Sequence, residues 1–188
     1  MLATFGRCRS GVTAIEFAVA GPVLFIAMLE ILQGGVFLYS SAAVERATVA
    51  AARAIQVGSL DSTKAGTAAN FREKVLCPAL MPGMTCGNVV TNLQTANMTG
   101  AGYGAFVKPD LSALVAVTMD NNQTSYCPSA PKVYQYLQVF YAMPLFSPLW
   151  RSTVGQRWSV NGQTVVFVRS AAAFRNEPYT GSSFTTSC

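Results

Sequence analysis

The chain contains no histidine and little charge of either sign. None of its 188 residues is histidine, and charged residues make up 11% of the sequence. Histidine is the usual base of general acid–base catalysis and of catalytic triads, so both histidine-dependent arrangements are excluded. The few acidic residues beyond the first third of the chain lie at no spacing typical of a catalytic or calcium-binding motif. We therefore expect no catalytic residue, no cofactor and no small-molecule substrate.

The sequence also lacks any run of lysine or arginine. The formal charge is +5, and two of the positive charges come from Arg7 and Arg9 near the amino terminus. A nucleic-acid-binding surface requires a dense basic patch. The weak and scattered charge of this chain therefore argues against a nucleic-acid partner.

Residues 11–39 form the stretch that is apolar enough and long enough to cross a lipid bilayer. A spanning helix requires about 20 mostly apolar residues, and this stretch contains only two charged residues, Glu16 and Glu30. Two arginines precede it, and basic residues beside a span tend to remain in the cytoplasm. We predict one transmembrane helix over residues 12–39, preceded by a cytoplasmic leader, residues 1–11.

The helix is expected to continue beyond the membrane surface. Residues 36–57 are rich in alanine and contain no proline, which favours helix, and Gly58 is the first residue that signals a helix end. A helix from Val12 to Val57 would be roughly 70 Å long, about twice the hydrocarbon thickness of a bilayer. We therefore predict a protruding helical stem over residues 40–58.

The cysteines indicate an oxidising compartment for the part of the chain beyond the span. Cys8 lies in the leader, and four others follow the apolar stretch: Cys77, Cys86, Cys127 and Cys188. An even set of this kind is typical of two disulfides, for which three pairings are possible. Turn-forming residues between the first two favour Cys77 with Cys86, and we also predict Cys127 with Cys188. A metal site is the competing interpretation, but histidine and a CxxC spacing are both absent.

Residues 59–188 are predicted to form one α+β domain outside the membrane. A second helix is expected over residues 63–76, where apolar residues recur at helical spacing. Alternating or β-branched apolar residues predict strands over the following ranges: 88–93, 111–119, 133–141 and 164–174. We expect these strands to form a small antiparallel sheet that packs against the outer half of the long helix.

The segment before the last predicted strand, residues 143–158, is unusually aromatic and apolar. Its large side chains are Phe146, Leu149, Trp150 and Trp158. In one interpretation they cap the core of the domain. In the other they form an exposed surface that rests on a membrane or binds a partner.

The leader and the start of the apolar stretch resemble the type III signal of type IV pilins and their minor relatives. The residues that carry this resemblance are Gly11 at the end of the basic leader, Glu16 five positions later, and Phe17. The resemblance implies that a membrane-embedded aspartyl peptidase cuts after Gly11 and makes Val12 the new amino terminus. It also implies that Glu16 guides assembly by pairing with the amino group of Val12 on a neighbouring subunit, an ion pair that lipid would strengthen.

Within that class, the chain is most similar to the TadE-like minor pseudopilins of the tight-adherence (Flp) pilus. The matching residues are Gly11, Ala14, Glu16, Phe17, Pro22, Glu30, Arg46 and Arg53, together with the tail segment 172–179. The resemblance implies a noncatalytic, single-pass protein of the bacterial inner membrane, with its carboxy-terminal domain in the periplasm, that is needed to assemble an adhesive pilus. It also implies as partners a TadF-like pseudopilin, the major Flp pilin, the prepilin peptidase and the inner-membrane assembly platform.

Glu30 lies deep in the apolar stretch, where a carboxyl group normally faces a partner. We hypothesise that Glu30 contacts another pseudopilin or the assembly platform. Two other functions remain open from the sequence. One is a signal-anchored envelope scaffold that keeps its leader, and the other is an envelope thiol enzyme that uses the cysteines.

Overall fold

The first helix, α1, is a single long helix that spans Ser10–Gln56. The structure is a computed structural model, and it describes residues 10–95, 110, 112, 118–120 and 124–178. The predicted continuation of the helix beyond the apolar stretch is confirmed, and Pro22 lies inside it. The helix ends where predicted, because Gly58 adopts a φ of +67°. The Ser59 amide then donates to the Ala54 carbonyl (3.1 Å) and the Gly58 amide to the Ile55 carbonyl (3.0 Å). These two bonds form a Schellman cap, which satisfies carbonyls at the helix end.

The predicted second helix is present but broken. The structure has α2 over Ser62–Ala65 and α3 over Ala68–Phe71, followed by a π-helical turn over Arg72–Leu76 and a 3₁₀ turn over Cys77–Ala79. The break lies at Thr67, which is extended and whose side chain accepts a hydrogen bond from the Asn70 amide (3.2 Å). A threonine at this position caps a new helix rather than continuing the old one.

Four strands form one antiparallel sheet, as predicted. They are β1 (Val89–Thr95), β2 (Tyr134–Pro144), β3 (Gln156–Arg157) and β4 (Thr164–Arg175), arranged in the order β1-β2-β4-β3. Three of the predicted strands correspond to β1, β2 and β4. The predicted strand over residues 111–119 falls largely outside the described residues, and the fourth strand that the structure describes is the short β3. The α+β architecture is therefore confirmed.

The main core lies between α1 and one face of the sheet. The helix contributes mainly small residues and the strands contribute larger ones: Val44, Ala47, Ala51 and Ile55 on α1, and Leu137, Val139, Tyr141 and Val168 on β2 and β4. Alanines on the helix allow its backbone to approach the sheet closely. A second, smaller cluster contains Val90, Phe140, Ala142, Trp158 and Val165. The two clusters together cover both sides of the central strand β2.

The disulfide and the segment around it attach the broken helix to the core. Cys77 and Cys86 form the predicted disulfide. Cys127 is also disulfide-bonded, and Cys188, its predicted partner, lies outside the described residues. The Tyr126 hydroxyl donates to the Ala65 carbonyl (2.8 Å) and its ring contacts Phe71. Burial raises the pKa of Tyr126, because it favours the neutral hydroxyl that donates this bond.

A matched pair of valine substitutions tests this core. Val139 is fully buried between α1 and the sheet, whereas Val160 is 53% exposed. We expect Val139→Ala to lower the free energy of unfolding by about 2 kcal/mol, because it removes buried methyl groups and leaves a cavity. Val160→Ala should change it by less than about 0.5 kcal/mol. Chemical denaturation of the full chain in detergent, followed by tryptophan fluorescence, measures the free energy of unfolding of both variants. Equal losses of stability in the two variants would contradict the assigned core.

Candidate functional site

The first part of α1 extends beyond the sheet domain and is almost entirely exposed. Of residues 13–29, Gly21 alone is buried, and it lies beneath the ring of Phe17. The exposed large apolar residues in this range are Ile15, Phe17, Val19, Val23, Leu24, Phe25, Ile26, Met28 and Leu29. In the part of the chain that is described, α1 is the one helix long and apolar enough to cross a membrane. A core helix would be buried, so this exposure indicates a single-pass membrane anchor.

The residues of the predicted processing site lie at the start of this anchor. Gly11 and Val12 are in the first turns of α1. Glu16 and Phe17 follow on the exposed part of the helix, and Pro22 is exposed one turn later. The structure therefore does not bring these residues together with any part of the sheet domain that it describes.

Glu30 and Gln33 form a polar junction between the anchor and the domain. Gln33 is fully buried, and its Oε1 atom accepts hydrogen bonds from the backbone amides of Phe146 (3.0 Å) and Ser147 (3.3 Å). The Ser147 hydroxyl donates to Oε1 of Glu30. One oxygen of Glu30 is therefore bound by a loop of the same chain and not by the partner that the sequence led us to expect.

The loop that meets Glu30 is shaped by its own sequence. Ser147 and Pro148 begin the short helix α4 (Pro148–Thr153), and the Ser147 hydroxyl also accepts from the Trp150 amide (3.2 Å). Serine at the N-cap and proline at the first helical position are the preferred residues there. The Trp150 ring then contacts Phe37 of α1, with 5.6 Å between ring centroids. One hydroxyl therefore both caps α4 and anchors it to α1.

Two polar atoms at this junction remain unused. Oε2 of Glu30 and Nε2 of Gln33 are buried and have no hydrogen-bond partner among the described residues. A buried polar atom without a partner costs roughly 1–3 kcal/mol. Oε2 of Glu30 can therefore accept a hydrogen bond from a further donor, and Nε2 of Gln33 can donate one to a further acceptor.

The other end of the domain is attached to the end of α1 by the tail segment. Arg53 forms an ion pair with Glu177 (3.1 Å), and the Glu177 amide donates to the Gln56 carbonyl (2.8 Å). Asn176 is buried, and its Nδ2 donates to the carbonyls of Ser129 (2.9 Å) and Ala130 (3.0 Å). The exposed ion pair contributes little energy, so the backbone bond from Glu177 to Gln56 is the direct tie to α1. The buried amide of Asn176 holds the tail to the loop at residues 129–130. Tyr179, at the end of the tail segment quoted for the resemblance, lies outside the described residues.

These contacts align the sheet with the outer part of α1. The base of the domain meets the helix at Gln33 and the tail meets it at Gln56, a separation of about 35 Å along the helix axis. The strand β4 has 12 residues, which span about 37 Å when extended. The outer part of α1, from Gln33 to Gln56, therefore matches the longest strand in length.

The exposed face of this outer helix carries a shallow recess. It is lined by Ala42, Glu45, Arg46, Val49, Ala50 and Arg53. The sequence placed Arg46 and Arg53 on one helix face, and both line this recess. A recess between small and charged side chains on a protruding helix is suited to the side chains of another helix.

The aromatic segment, residues 143–158, is partly a cap on the core and partly an exposed surface, so each of the two interpretations from the sequence holds for some of its residues. Trp158 is buried, and its indole nitrogen donates to the Met119 carbonyl (2.7 Å). Trp150 is partly buried against the core. Phe146 and Leu149, in contrast, are 47% and 56% exposed. The tryptophans therefore cap the core, and the other two form a surface.

Comparison with known proteins supports the resemblance over the helix. The family model of TadE-like proteins matches residues 11–53, which cover the anchor and most of the outer part of α1. The sheet domain lies outside this match. No curated protein and no solved structure matches the chain.

Ser147 is the most direct test of the junction. Ser147→Ala removes both the hydrogen bond to Glu30 and the cap of α4, so we expect the free energy of unfolding to fall by about 2–3 kcal/mol. Amide exchange at Phe146, Ser147 and Trp150 should become faster in the native state. Ser152→Ala is the matched control, because its exposed hydroxyl bonds only the neighbouring Leu149 carbonyl (2.9 Å). Hydrogen exchange and denaturation measure both variants, and unchanged exchange in Ser147→Ala would show that the junction does not hold the loop.

Proposed function

We propose that this chain is a minor pseudopilin of a Tad (Flp) pilus, held in the bacterial inner membrane and noncatalytic in its action. The observation that carries this proposal is the match of the TadE-like family to residues 11–53, the segment that is both the exposed anchor and the helical edge of the domain core. The protein would start or organise pilus assembly, and the pilus would attach the cell to a surface.

The position of the processing site supports cleavage by a prepilin peptidase. A cut after Gly11 would leave Val12 at the start of α1 and the whole apolar part of the helix intact. Glu16 would then lie one turn from a new ammonium group. Acidic residues near a helix start are favourable, and a carboxylate in lipid needs a positive partner. The amino group of a neighbouring subunit is the partner that the resemblance implies.

Charge and disulfide chemistry support the orientation of the chain. The two arginines of the leader favour a cytoplasmic amino terminus. The Cys77–Cys86 disulfide favours an oxidising compartment on the other side of the membrane. We therefore assign the sheet domain to the periplasm.

The exposed surface of α1 supports association with other subunits. Its anchor part offers apolar side chains to lipid or to another transmembrane helix, and the recess around Arg46 and Val49 offers a contact outside the membrane. A TadF-like pseudopilin and the major pilin are the partners proposed for this surface. The assembly platform would meet the anchor within the bilayer.

The mass of the mature protein tests the proposal. We expect the full chain, expressed with its candidate peptidase, to begin at Val12, and to retain Met1 when the peptidase is absent. Glu16→Gln should still be processed but should lose pilus assembly, because the amide cannot carry the charge that pairs with an ammonium group. Glu73→Gln is the control, since Glu73 is exposed in the sheet domain.

Intact-mass analysis and electron microscopy of surface pili measure these outcomes. A chain that keeps Met1 in both strains would instead favour a signal-anchored scaffold. Normal piliation in Glu16→Gln would remove the assembly role of that carboxyl group.

A comparison of Glu30 and Ser147 variants tests whether Glu30 also contacts a partner. Glu30→Gln and Ser147→Ala both disturb the bond between these residues, but only the first changes the unused oxygen Oε2. We expect Glu30→Gln to reduce co-purification of other pilus subunits by about tenfold, the effect of losing one buried hydrogen bond, while Ser147→Ala retains them. Equal co-purification with both variants, measured by quantitative mass spectrometry, would limit Glu30 to its role within the chain.

A further inference from the structure

Large apolar side chains remain exposed in and beside α4, at the base of the sheet domain. Phe146 precedes α4 and is 47% exposed, and Leu149 lies in α4 and is 56% exposed. Exposed apolar residues that cluster beside a functional element mark an interaction surface more often than scattered ones do. We refer to residues 145–153 as the base loop.

The height of the base loop along α1 is fixed by its hydrogen bonds. In the mature chain of the proposed function, the free part of the helix, residues 12–29, would span roughly 27 Å, close to the hydrocarbon thickness of a typical bilayer. Glu30 and Gln33 follow within one turn, and these residues bind Ser147 and Phe146 of the base loop. If the free helix spans the bilayer, the base loop lies at the level of the outer headgroups.

The chemistry of the base loop and its neighbours fits this level. Arg151 lies in α4 and Arg157 in β3, both are exposed, and residues 143–163 contain no acidic residue. Aromatic and aliphatic side chains beside arginines are the composition that binds the interface of a membrane, with apolar groups in the acyl boundary and guanidinium groups at lipid phosphates. The partly buried Trp150 adds an aromatic ring at the same level.

A lipid surface accounts for the base loop better than a protein partner does. Its exposed apolar part consists of few side chains, whereas a stable protein interface buries about 1,200 Å² or more in total. The base loop also binds α1 at Glu30 and Gln33, directly after the free part of the helix. Lipid that surrounds the anchor would therefore reach the base loop without a separate binding event.

We propose that the base loop is a second membrane contact, in which Phe146 and Leu149 enter the outer headgroup region and Arg151 binds lipid phosphate. The contact would hold the sheet domain against the bilayer and fix its tilt relative to the anchor. This proposal depends on the membrane anchor of the proposed function. It sets the membrane boundary near Gln33 on the side of α1 that faces the domain.

Site-specific photocrosslinking tests the proposal in the full chain. A diazirine-bearing amino acid is placed singly at Phe146, Leu149, Phe25 and Tyr134, and the protein is reconstituted in vesicles of phosphatidylethanolamine and phosphatidylglycerol. Phe25 is on the exposed anchor, and Tyr134 is 39% exposed at the opposite end of β2. Formation of the Cys77–Cys86 disulfide in each variant confirms folding.

We expect lipid adducts at Phe146 and Leu149 to exceed those at Tyr134 by at least about fivefold, because interfacial side chains lie within roughly 5–10 Å of the headgroup boundary. Phe25 should give the highest yield. The proposal would be overturned if lipid adducts at Phe146 and Leu149 were no more abundant than at Tyr134, or if these positions crosslinked to protein instead of lipid. Lipid labelling at Phe25 would in that case still support the membrane anchor. Loss of labelling at Phe25 itself would instead overturn the membrane anchor.

Discussion

The structure depends on one constraint: a single unbroken helix must be soluble in lipid over its first part and must complete a protein core over its second. These environments demand different surfaces. Lipid accepts apolar side chains all around the helix, and residues 13–29 supply them on almost every side. The sheet accepts only a narrow stripe of small residues, and Ala43, Val44, Ala47 and Ala51 supply that stripe further along. The chain stays helical across the change, because α1 runs without a break from Ser10 to Gln56.

Hydrogen bonds at the two ends of the domain set its position along this helix. Packing of alanines against a sheet is smooth and would tolerate sliding by one helical turn. Sliding would break the bonds that base-loop amides donate to Gln33 and the bond that the Glu177 amide donates to the Gln56 carbonyl. At Gln33, which is buried, it would leave polar groups unsatisfied. The core thus provides the energy of attachment, and these few polar contacts provide its register.

Local patterns in the sequence were sufficient to predict the main helix and strands, but not the junction of Glu30 and Gln33 with the base loop. The alanine-rich run and Gly58 predicted the extent of α1, the alternating residues of β2 predicted the central strand, and the turn before Cys86 predicted its disulfide. Gln33 and Ser147 were missed, because they are 114 residues apart and nothing local distinguishes a glutamine that accepts two loop amides. Glu30 was recognised as exceptional from its apolar surroundings, but only the structure identifies Ser147 as a partner. The break at Thr67 was missed because the prediction rested on the apolar residues from Ala68 to Leu76, which all lie beyond it. The local signal was present, since Gly66 and Thr67 are residues that end one helix and cap the next.

The junction also bears on how the chain can be processed. An ordinary secretory signal is removed by a cut after its apolar region, which here would fall beyond residue 39. Such a cut would remove Glu30, Gln33 and Phe37, and the amides of Phe146 and Ser147 would lose their acceptor. A cut after Gly11 removes none of the contacts described between α1 and the domain. The end of the apolar stretch is thus part of the folded domain, so a cut after the stretch would remove contacts of the fold, whereas a cut before it would leave them all in place.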